Sequence, residues 1–189
     1  MKKLLVLSLS VMLFSLTVLA QGKPKNVVLL IGDGMGLAQI YAGMVANGNK
    51  LQLERCKNVG FVKTYSASHF TTDSGAGGTA LACGVKTKNG MIGMNADSMA
   101  VYSILELAEK NSLATGIVSA CAVTHATPAS FIAHVNNRNM YEEIATDYLK
   151  TDIDVFVGGG RKYFEERADN RNLIDELKAK NYQVAYTID

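Results

Sequence analysis

Thr-Thr-Asp-Ser-Gly-Ala-Gly-Gly-Thr, at residues 71–79, is the stretch that organises the rest of the sequence. An acidic residue precedes Ser74 and only small residues follow it, which is typical of a nucleophilic serine at a turn from a strand into a helix. The small residues at 75–78 would let the backbone approach a ligand closely. We therefore expect a helix that begins near Ser74, ends before Gly84 and directs its first N–H groups toward an anion. The alternative interpretation is a serine that only caps a helix after a glycine-rich turn.

A second glycine-rich turn follows the first apolar segment of the predicted domain. Residues 27–31 (Val-Val-Leu-Leu-Ile) predict a short parallel strand that is covered on both faces. The turn at 32–36 (Gly-Asp-Gly-Met-Gly) suggests a dinucleotide site, with Glu54 at the distance of a ribose contact, but its third glycine comes one residue too early for that motif. An acid at the carboxyl end of a central strand favours a metal ligand instead, and we predict that role for Asp33.

Segments with strand and helix patterns alternate along the rest of the chain. The predicted strands are residues 59–65, 115–120, 154–157 and 182–186. The predicted helices begin near Leu37 and then cover residues 98–111, with Ser98 as N-cap, 141–149 and 173–180. No linker, repeat or low-complexity segment interrupts them. This alternation predicts an α/β sandwich built on a mostly parallel sheet.

The N-terminus has the pattern of an export signal. Met1-Lys2-Lys3 is a short positive region, residues 4–19 are apolar apart from three serines and one threonine, and the residues up to Ala20 give a small-x-small cleavage pattern. We therefore predict a signal peptide at residues 1–20 and a single domain over residues 21–189. The alternative is an anchor helix that is not cleaved.

Charge and cysteine content restrict the possible partners. Cleavage after residue 20 would remove Lys2 and Lys3 from the 19 basic residues and leave 17 against 17 acidic ones. A neutral chain with no basic run gives no electrostatic argument for nucleic-acid binding, so any anion site must be local. The three cysteines match no zinc motif. Cys83, in a helical stretch, and Cys121, at a strand end, are predicted to be small buried residues.

Four signatures, in one order, make the sequence resemble the alkaline phosphatase family. They are Val-Leu-Leu-Ile-Gly-Asp-Gly-Met-Gly (28–36), Thr-Asp-Ser-Gly-Ala (72–76) with Cys-Gly-Val-Lys-Thr (83–87), Thr-His-Ala-Thr-Pro-Ala (124–129) with Ala-His-Val-Asn-Asn-Arg (133–138), and Val-Gly-Gly-Gly (157–160). Together they cover essentially the whole chain after the signal peptide. The resemblance implies a three-layer α/β sandwich with a mostly parallel central sheet, here incomplete at its C-terminus.

The resemblance implies a role for each matching residue. Ser74 would be the nucleophile that becomes phosphorylated, and it would also bind substrate and a metal. Asp33 would bridge the second zinc and the magnesium, and Thr127 would give its hydroxyl to the magnesium site. Arg138 would hold two phosphate oxygens with its planar guanidinium. Asp73 would help to orient that arginine.

The three histidines receive different interpretations. Some bacterial members of the family have aspartate at the position of His125, whereas the animal enzymes have histidine, so the resemblance implies that His125 tunes the third metal from beside its ligands. His134 is predicted to be a packed residue on a helix face. No family role attaches to His69.

The resemblance also implies the cofactors and the reaction. Two zinc ions and one magnesium ion would serve metal-dependent hydrolysis of phosphate monoesters through a phosphoserine, with a broad substrate range. The remaining family ligands, a glutamate, aspartates and three histidines, lie further along and are not present in this chain, so we expect a fragment. The resemblance further implies a homodimer when complete, in the periplasm or secreted, with no membrane span after signal cleavage. The alternative is a truncated, inactive exported α/β protein that binds phosphate or metal without turnover.

Overall fold

The computed structural model describes residues 24–187. The predicted signal peptide at residues 1–20 lies outside the described residues. The chain divides after Ile40 into two compact units. No helix in residues 24–187 is long and apolar enough to span a membrane.

The first unit contains an extended apolar segment and a tight turn. The side chains of residues 27–31 are exposed, with Val28 at 81% and Leu30 at 88%, and the segment belongs to no described strand pair. The predicted strand is therefore wrong, because a central strand is stabilised by hydrogen bonds and contacts from neighbouring strands that the described residues do not provide here. The following turn uses Gly34 in the left-handed region, at φ 66°. Helix α1, Leu37–Ala46, begins directly after it.

The second unit alternates helices with two strands. After a 3-10 helix at Gln52–Arg55, its elements in order are α2 Ser74–Cys83, α3 Ile104–Lys110, β1 Gly116–Ala122, α4 Ala126–Ala129, α5 Tyr141–Asp147, β2 Val155–Gly159, α6 Lys162–Glu165 and α7 Leu173–Ala179. Helix α2 begins at Ser74 and ends at Gly84 in the left-handed conformation, as predicted. The predicted helices at 141–149 and 173–180 are also confirmed, with their last turns shorter than expected.

Strands β1 and β2 form a parallel pair, which confirms the predictions at 115–120 and 154–157. Gly116 is opposite Val155 and Val118 is opposite Val157, and the register shifts before Ala122 meets Gly159. Helices α4 and α5 connect the two strands, so this part of the chain is a β-α-β crossover. The carboxyl end of β1 leads within a few residues into α4, at the sheet edge where ligands bind in open α/β folds.

Two further predicted strands are absent from the described residues. The segment at 59–65 is extended and exposed, with Phe61 fully accessible. The segment at 182–186 is fixed by side chains rather than by a ladder: the hydroxyl of Tyr182 donates to the Ile153 carbonyl, and Val184 packs against the core. Both predictions are wrong for the same reason as at residues 27–31. An apolar segment forms a strand only when another strand pairs with it, and its own sequence does not identify that partner.

The helix predicted at residues 98–111 begins later. Ser98 has a φ of 61° and lies in a turn, and an isolated bridge pairs Met94 with Ala100. Ser103 is the N-cap of α3: its hydroxyl accepts the Glu106 N–H (3.1 Å), and the Glu106 carboxylate accepts the Ser103 N–H (2.7 Å). This capping box fixes the helix start, so the prediction of Ser98 as N-cap is wrong.

One hydrophobic core joins the helices to the sheet. Its fully buried members include Ile92, Ile132, Ile144, Tyr148, Ile153, Leu173 and Leu177. The Tyr148 ring lies 4.7 Å from the Phe156 ring, centroid to centroid, and its hydroxyl donates to the Val123 carbonyl (2.9 Å). Because Val123 follows β1 directly, Tyr148 fixes the point where the chain leaves the sheet toward α4.

Helices α2 and α4 pack closely because Gly78 has no side chain. A Cβ at Gly78 would lie 2.6 Å from Ser130 Oγ and 3.5 Å from the Thr127 Cα. Ser130 directly follows α4, and its Oγ donates to the Ala126 carbonyl (2.8 Å). The packing therefore places the helix that begins at Ser74 against the helix that carries Thr127.

His134 connects three segments of the second unit. It lies in an irregular segment, so the predicted helix-face position is wrong. Its Nδ1 lies 2.7 Å from the Gly93 carbonyl oxygen and its Nε2 lies 2.9 Å from Glu106 Oε1. Both partners accept hydrogen bonds, so both ring nitrogens donate and the imidazolium form fits this environment. The hydrogen bond to Glu106 raises the pKa of His134 despite its burial.

Substitution of two adjacent glycines tests the close packing of α2. Gly78→Ala should lower the free energy of unfolding by about 1–3 kcal/mol, because its methyl group would overlap Ser130. Gly77→Ala is the matched control: its Cβ would lie 3.7 Å from the Thr72 side chain, an ordinary contact, and alanine should stabilise the helix by up to about 1 kcal/mol. Urea unfolding of the full-length protein measures both values. Equal stabilities for the two variants would show that α2 and α4 do not pack as described.

The His134–Glu106 pair predicts a defined pH dependence of stability. Burial pushes the pKa of Glu106 upward, but hydrogen bonds from His134 and the Ser103 N–H more than offset this and lower it. The Glu106 contribution is complete above pH 4.5 and is lost as the pH falls through the lowered pKa; the His134 contribution is complete below pH 6.5 and is lost as the pH rises through the raised pKa.

His134→Gln should therefore lower the free energy of unfolding by about 1–2 kcal/mol, most strongly between pH 4.5 and 6.5 and less at alkaline pH. His69→Gln, at an exposed position, is the control and should change stability by less than about 0.5 kcal/mol. Denaturant unfolding across the pH range provides the measurement. A destabilisation that is the same at every pH would argue against the imidazolium–carboxylate pair.

Candidate active site

Asp73, and not Ser74, caps helix α2. Asp73 has extended backbone angles, and its Oδ1 accepts the N–H of Ala76 at 2.9 Å. Ser74 is the first residue of the helix and is half-buried. The alternative interpretation of a serine that only caps the helix is therefore wrong. Ser74 stands at the positive end of the helix dipole. The neighbouring Asp73 carboxylate already accepts one N–H of the first turn, that of Ala76.

The second oxygen of Asp73 holds Arg138. Asp73 Oδ2 accepts a hydrogen bond from Arg138 Nη1 and another from the Gly90 N–H, each 3.0 Å long. Burial alone would raise the pKa of Asp73, but the bonds from Ala76, Arg138 and Gly90 outweigh it and lower the pKa below its ordinary value. The carboxylate is therefore ionised at neutral and alkaline pH, and the ion pair persists there.

Arg138 has two further contacts that fix its position. Its backbone N–H donates to the Gly90 carbonyl at 2.7 Å, and its Nη2 lies 3.4 Å from His125 Nε2. Because a guanidinium can only donate, the His125 Nε2 accepts in this contact. The side-chain contacts with Asp73 and His125 use two of the five N–H donors of the guanidinium. Such a planar group can bind two oxygens of one phosphate at the same time.

The carboxyl end of β1 supplies His125 and Thr127. His125 is the N-cap residue of α4, and Thr127 is half-buried within that helix. The packing of α4 against α2 at Gly78 places this helix beside the one that begins at Ser74. The second unit thus brings together the regions of Asp73, Ser74, His125 and Arg138 that sequence analysis singled out.

Asp33 belongs to the first unit. It is exposed and lies in the turn that precedes α1. Its predicted part in metal binding stays a prediction.

Two hydroxyl side chains of the second unit, Ser74 and Thr127, are candidate metal ligands. Within residues 24–187, no group of three or more His, Cys, Asp or Glu side chains could hold a metal ion. Ser74 and Thr127 offer hydroxyl oxygens, and oxygen ligands suit magnesium. A pair of zinc ions needs several nitrogen or carboxylate ligands, and the described residues do not form such a set.

His69, Cys83 and Cys121 take no part in the hydrogen bonds described around Asp73 and Arg138. His69 Nδ1 lies 2.7 Å from Ser68 Oγ on the exposed surface. Cys83 is half-buried at the end of α2, and burial raises its thiol pKa to about 11. Cys121 is exposed on β1, so its predicted burial is wrong; the strand lies at a sheet edge in the described residues and leaves that side chain uncovered.

The contribution of Asn89 and Gly90 to the site was not predicted from the sequence. The dipeptide Asn-Gly is a turn signal, but it does not identify the partners of a turn. Its contacts with Asp73 and Arg138 join residues far apart in the sequence, so no local pattern could have indicated them.

Comparisons with known proteins identify the family of the chain. The sequence profile of the alkaline phosphatase family matches residues 24–188. Alkaline phosphatase 4 of Bacillus subtilis (strain 168) is 39% identical in an alignment that covers 86% of this chain and 38% of that protein. The repressible alkaline phosphatase of Saccharomyces cerevisiae is 34% identical, and the alignment covers 87% of this chain and 33% of that protein.

The solved structures give the same result for the fold. The alkaline phosphatase from the Antarctic bacterium TAB5 superposes with a TM-score of 0.84 at 46% identity, over 87% of this chain and 48% of that one. This likeness confirms the predicted α/β fold of the alkaline phosphatase type. The chain spans less than half the length of each of these relatives. With a profile that matches most of the sequence and relatives well above 30% identity, the chain belongs to the alkaline phosphatase family.

Proposed function

We propose that the protein hydrolyses phosphate monoesters of broad range through a phosphoserine on Ser74 and releases inorganic phosphate. The observation that carries the proposal is the 3.0 Å ion pair between Asp73 and Arg138, which stands beside Ser74 at the start of α2. Family membership supports it, because the relatives are named alkaline phosphatases. No observation favours the alternative of an inactive exported protein that binds phosphate or metal without turnover.

Ser74 supplies the nucleophile in this proposal. Its Oγ forms a bond to phosphorus while the bond from phosphorus to the ester oxygen breaks, and the leaving group takes a proton. Water then attacks the phosphoserine, which releases phosphate and restores the hydroxyl. The position of Ser74 at the positive end of α2 favours the approach of an anionic phosphate.

Arg138 binds the group that is transferred. The three equatorial oxygens of the phosphoryl group carry negative charge in the transition state, so a guanidinium held in place beside them stabilises that state. Asp73 holds one edge of that guanidinium and so sets its direction. A site that binds the phosphoryl group and little of the alcohol accepts many esters, which supports the proposed broad range.

Metal ions complete the proposal. Bound zinc and magnesium lower the pKa of a coordinated oxygen and stabilise charge on the attacking and leaving oxygens. We assign Asp33, Ser74 and Thr127 as ligands, and His125 as the residue that tunes the magnesium site from beside them. A variant of the TAB5 enzyme solved with Mg bound supports magnesium as one of the cofactors. The remaining zinc ligands would come from outside residues 24–187.

The proposal includes the organisation of the protein. Residues 21–189 would form the N-terminal part of the catalytic domain, after a signal peptide at residues 1–20. The protein would be exported to the periplasm or secreted and would form a homodimer. Mass spectrometry of the native protein tests the proposed signal peptide, since a mature N-terminus other than Gln21 would contradict cleavage after Ala20.

Removal of the Ser74 hydroxyl tests the proposed nucleophile. Ser74→Ala in the full-length protein should lower kcat/KM for p-nitrophenyl phosphate by at least about 10³-fold and abolish the phosphoenzyme that can be trapped in acid. Thr71→Ala is the control, because it removes an exposed hydroxyl just before the same turn. A phosphoenzyme that survives in Ser74→Ala would place the nucleophile elsewhere.

Shortening Arg138 tests the phosphate contact. Arg138→Ala should lower kcat/KM by roughly 10²-fold and weaken inhibition by inorganic phosphate, without abolishing turnover. Arg138→Lys should recover only part of the loss, because an ammonium cannot contact two oxygens in one plane. Arg171→Ala, which removes an exposed arginine paired with Glu176, should leave the kinetics unchanged. Failure of Arg138→Ala to fold, shown by circular dichroism, would make that residue structural.

A further inference from the structure

The turn at Asn89 and Gly90 contacts both partners of the Asp73–Arg138 pair. We propose that Asn89 is a positioning residue for the hydrolysis proposed above, and that it sets the approach to Ser74 and the placement of Arg138 through this turn. The expected effect on hydrolysis rests on the proposed function. The expected effect on the positions of Ser74 and Arg138 rests on the contacts alone.

Asn89 binds the segment that precedes the nucleophile. Its Nδ2 donates to the Thr71 carbonyl at 3.0 Å, and its Oδ1 accepts the Asp73 N–H at 3.3 Å. Its own backbone N–H donates to Ser68 Oγ at 3.0 Å. One half-buried side chain therefore fixes the backbone on both sides of Thr72. Asp73 and Ser74 follow directly, so their position depends on these bonds.

Gly90 extends this connection to the arginine. Its N–H donates to Asp73 Oδ2, and its carbonyl accepts the Arg138 backbone N–H. Gly90 has a φ of 87°, which disfavours other residues although a Cβ there would meet no atom within 4 Å. The same peptide segment thus contacts the Asp73 carboxylate and the backbone of Arg138.

The first turn of α2 packs directly against this segment. A Cβ on Gly75 would lie 2.9 Å from the Met91 carbonyl oxygen and 3.4 Å from the Gly90 carbonyl carbon. Any movement of the turn would therefore be passed to the start of α2 as well as to Arg138. Because a misplacement of about 1 Å can slow catalysis by about 10²-fold, the contacts of Asn89 should affect the reaction without touching substrate.

The test compares two asparagines of similar burial. Asn89→Ala removes the bonds to Thr71 and Asp73. Asn95→Ala is the matched control: Asn95 is also half-buried and caps a turn, with its Oδ1 accepting the N–H groups of Asp97 and Met99 at 3.0 Å. Asn89→Asp keeps the acceptor for the Asp73 N–H but places a carboxylate oxygen against the Thr71 carbonyl oxygen, so it should give an effect at least as large as that of Asn89→Ala.

The kinetic readout uses the full-length protein with p-nitrophenyl phosphate as substrate and inorganic phosphate as inhibitor. Asn89→Ala should lower kcat/KM and raise the phosphate inhibition constant by roughly 10-fold or more, while Asn95→Ala changes neither beyond about 2-fold. In the Arg138→Ala background the added effect of Asn89→Ala on phosphate inhibition should disappear. An effect of the same size in both backgrounds would overturn the proposal that Asn89 places Arg138, because Asn89 would then act only through the segment before Ser74.

A second readout needs no activity. The exchange rate of the Arg138 backbone amide, measured by NMR, should increase in Asn89→Ala and stay unchanged in Asn95→Ala, because that amide is held by the Gly90 carbonyl. An unchanged rate in Asn89→Ala would overturn the positioning role. If exchange is faster in Asn89→Ala but the wild-type protein shows no Ser74-dependent hydrolysis, the positioning role stands and the proposed function is refuted.

Discussion

The carboxylate of Asp73 is the group on which the site depends. One oxygen caps α2 and the other accepts from Arg138 and Gly90. A single ionised side chain therefore fixes the start of the helix at Ser74, the direction of the guanidinium and the adjoining turn. Each of these contacts favours the ionised form, and together they outweigh the cost of partial burial. The geometry of the helix terminus and the charge at the site are thus two results of the same interaction.

The remainder of the second unit places this carboxylate beside the end of the sheet. Tyr148 fixes the exit from β1, and the missing side chain of Gly78 allows α4 to lie directly against α2. A side chain at position 78 would hold α4, and with it Thr127, farther from α2. The close approach of the two backbones at Gly78 brings the two helices together here.

The sequence predicted the features that depend on near neighbours along the chain. The limits of α2, the glycine at its end and the two paired strands all follow from local spacing and composition. Residues 27–31 and 59–65 were predicted as strands and are not, because a strand exists only with partner strands, which an apolar run does not identify. Asn89 and Gly90 were missed because their partners lie 16 or more residues away, beyond the reach of any periodicity.

The sequence separations of these contacts imply an order of assembly. The cap from Asp73 to Ala76 spans three residues, the bond from Asp73 to Gly90 spans 17, and the ion pair with Arg138 spans 65. The entropy lost on closing a loop grows with its length, and contacts between distant residues form late in folding for that reason. The cap of α2 can therefore form early, whereas the ion pair with Arg138 must close the longest of the three loops. A newly made chain would therefore hold Ser74 at a capped helix start before its ion pair with Arg138 had formed.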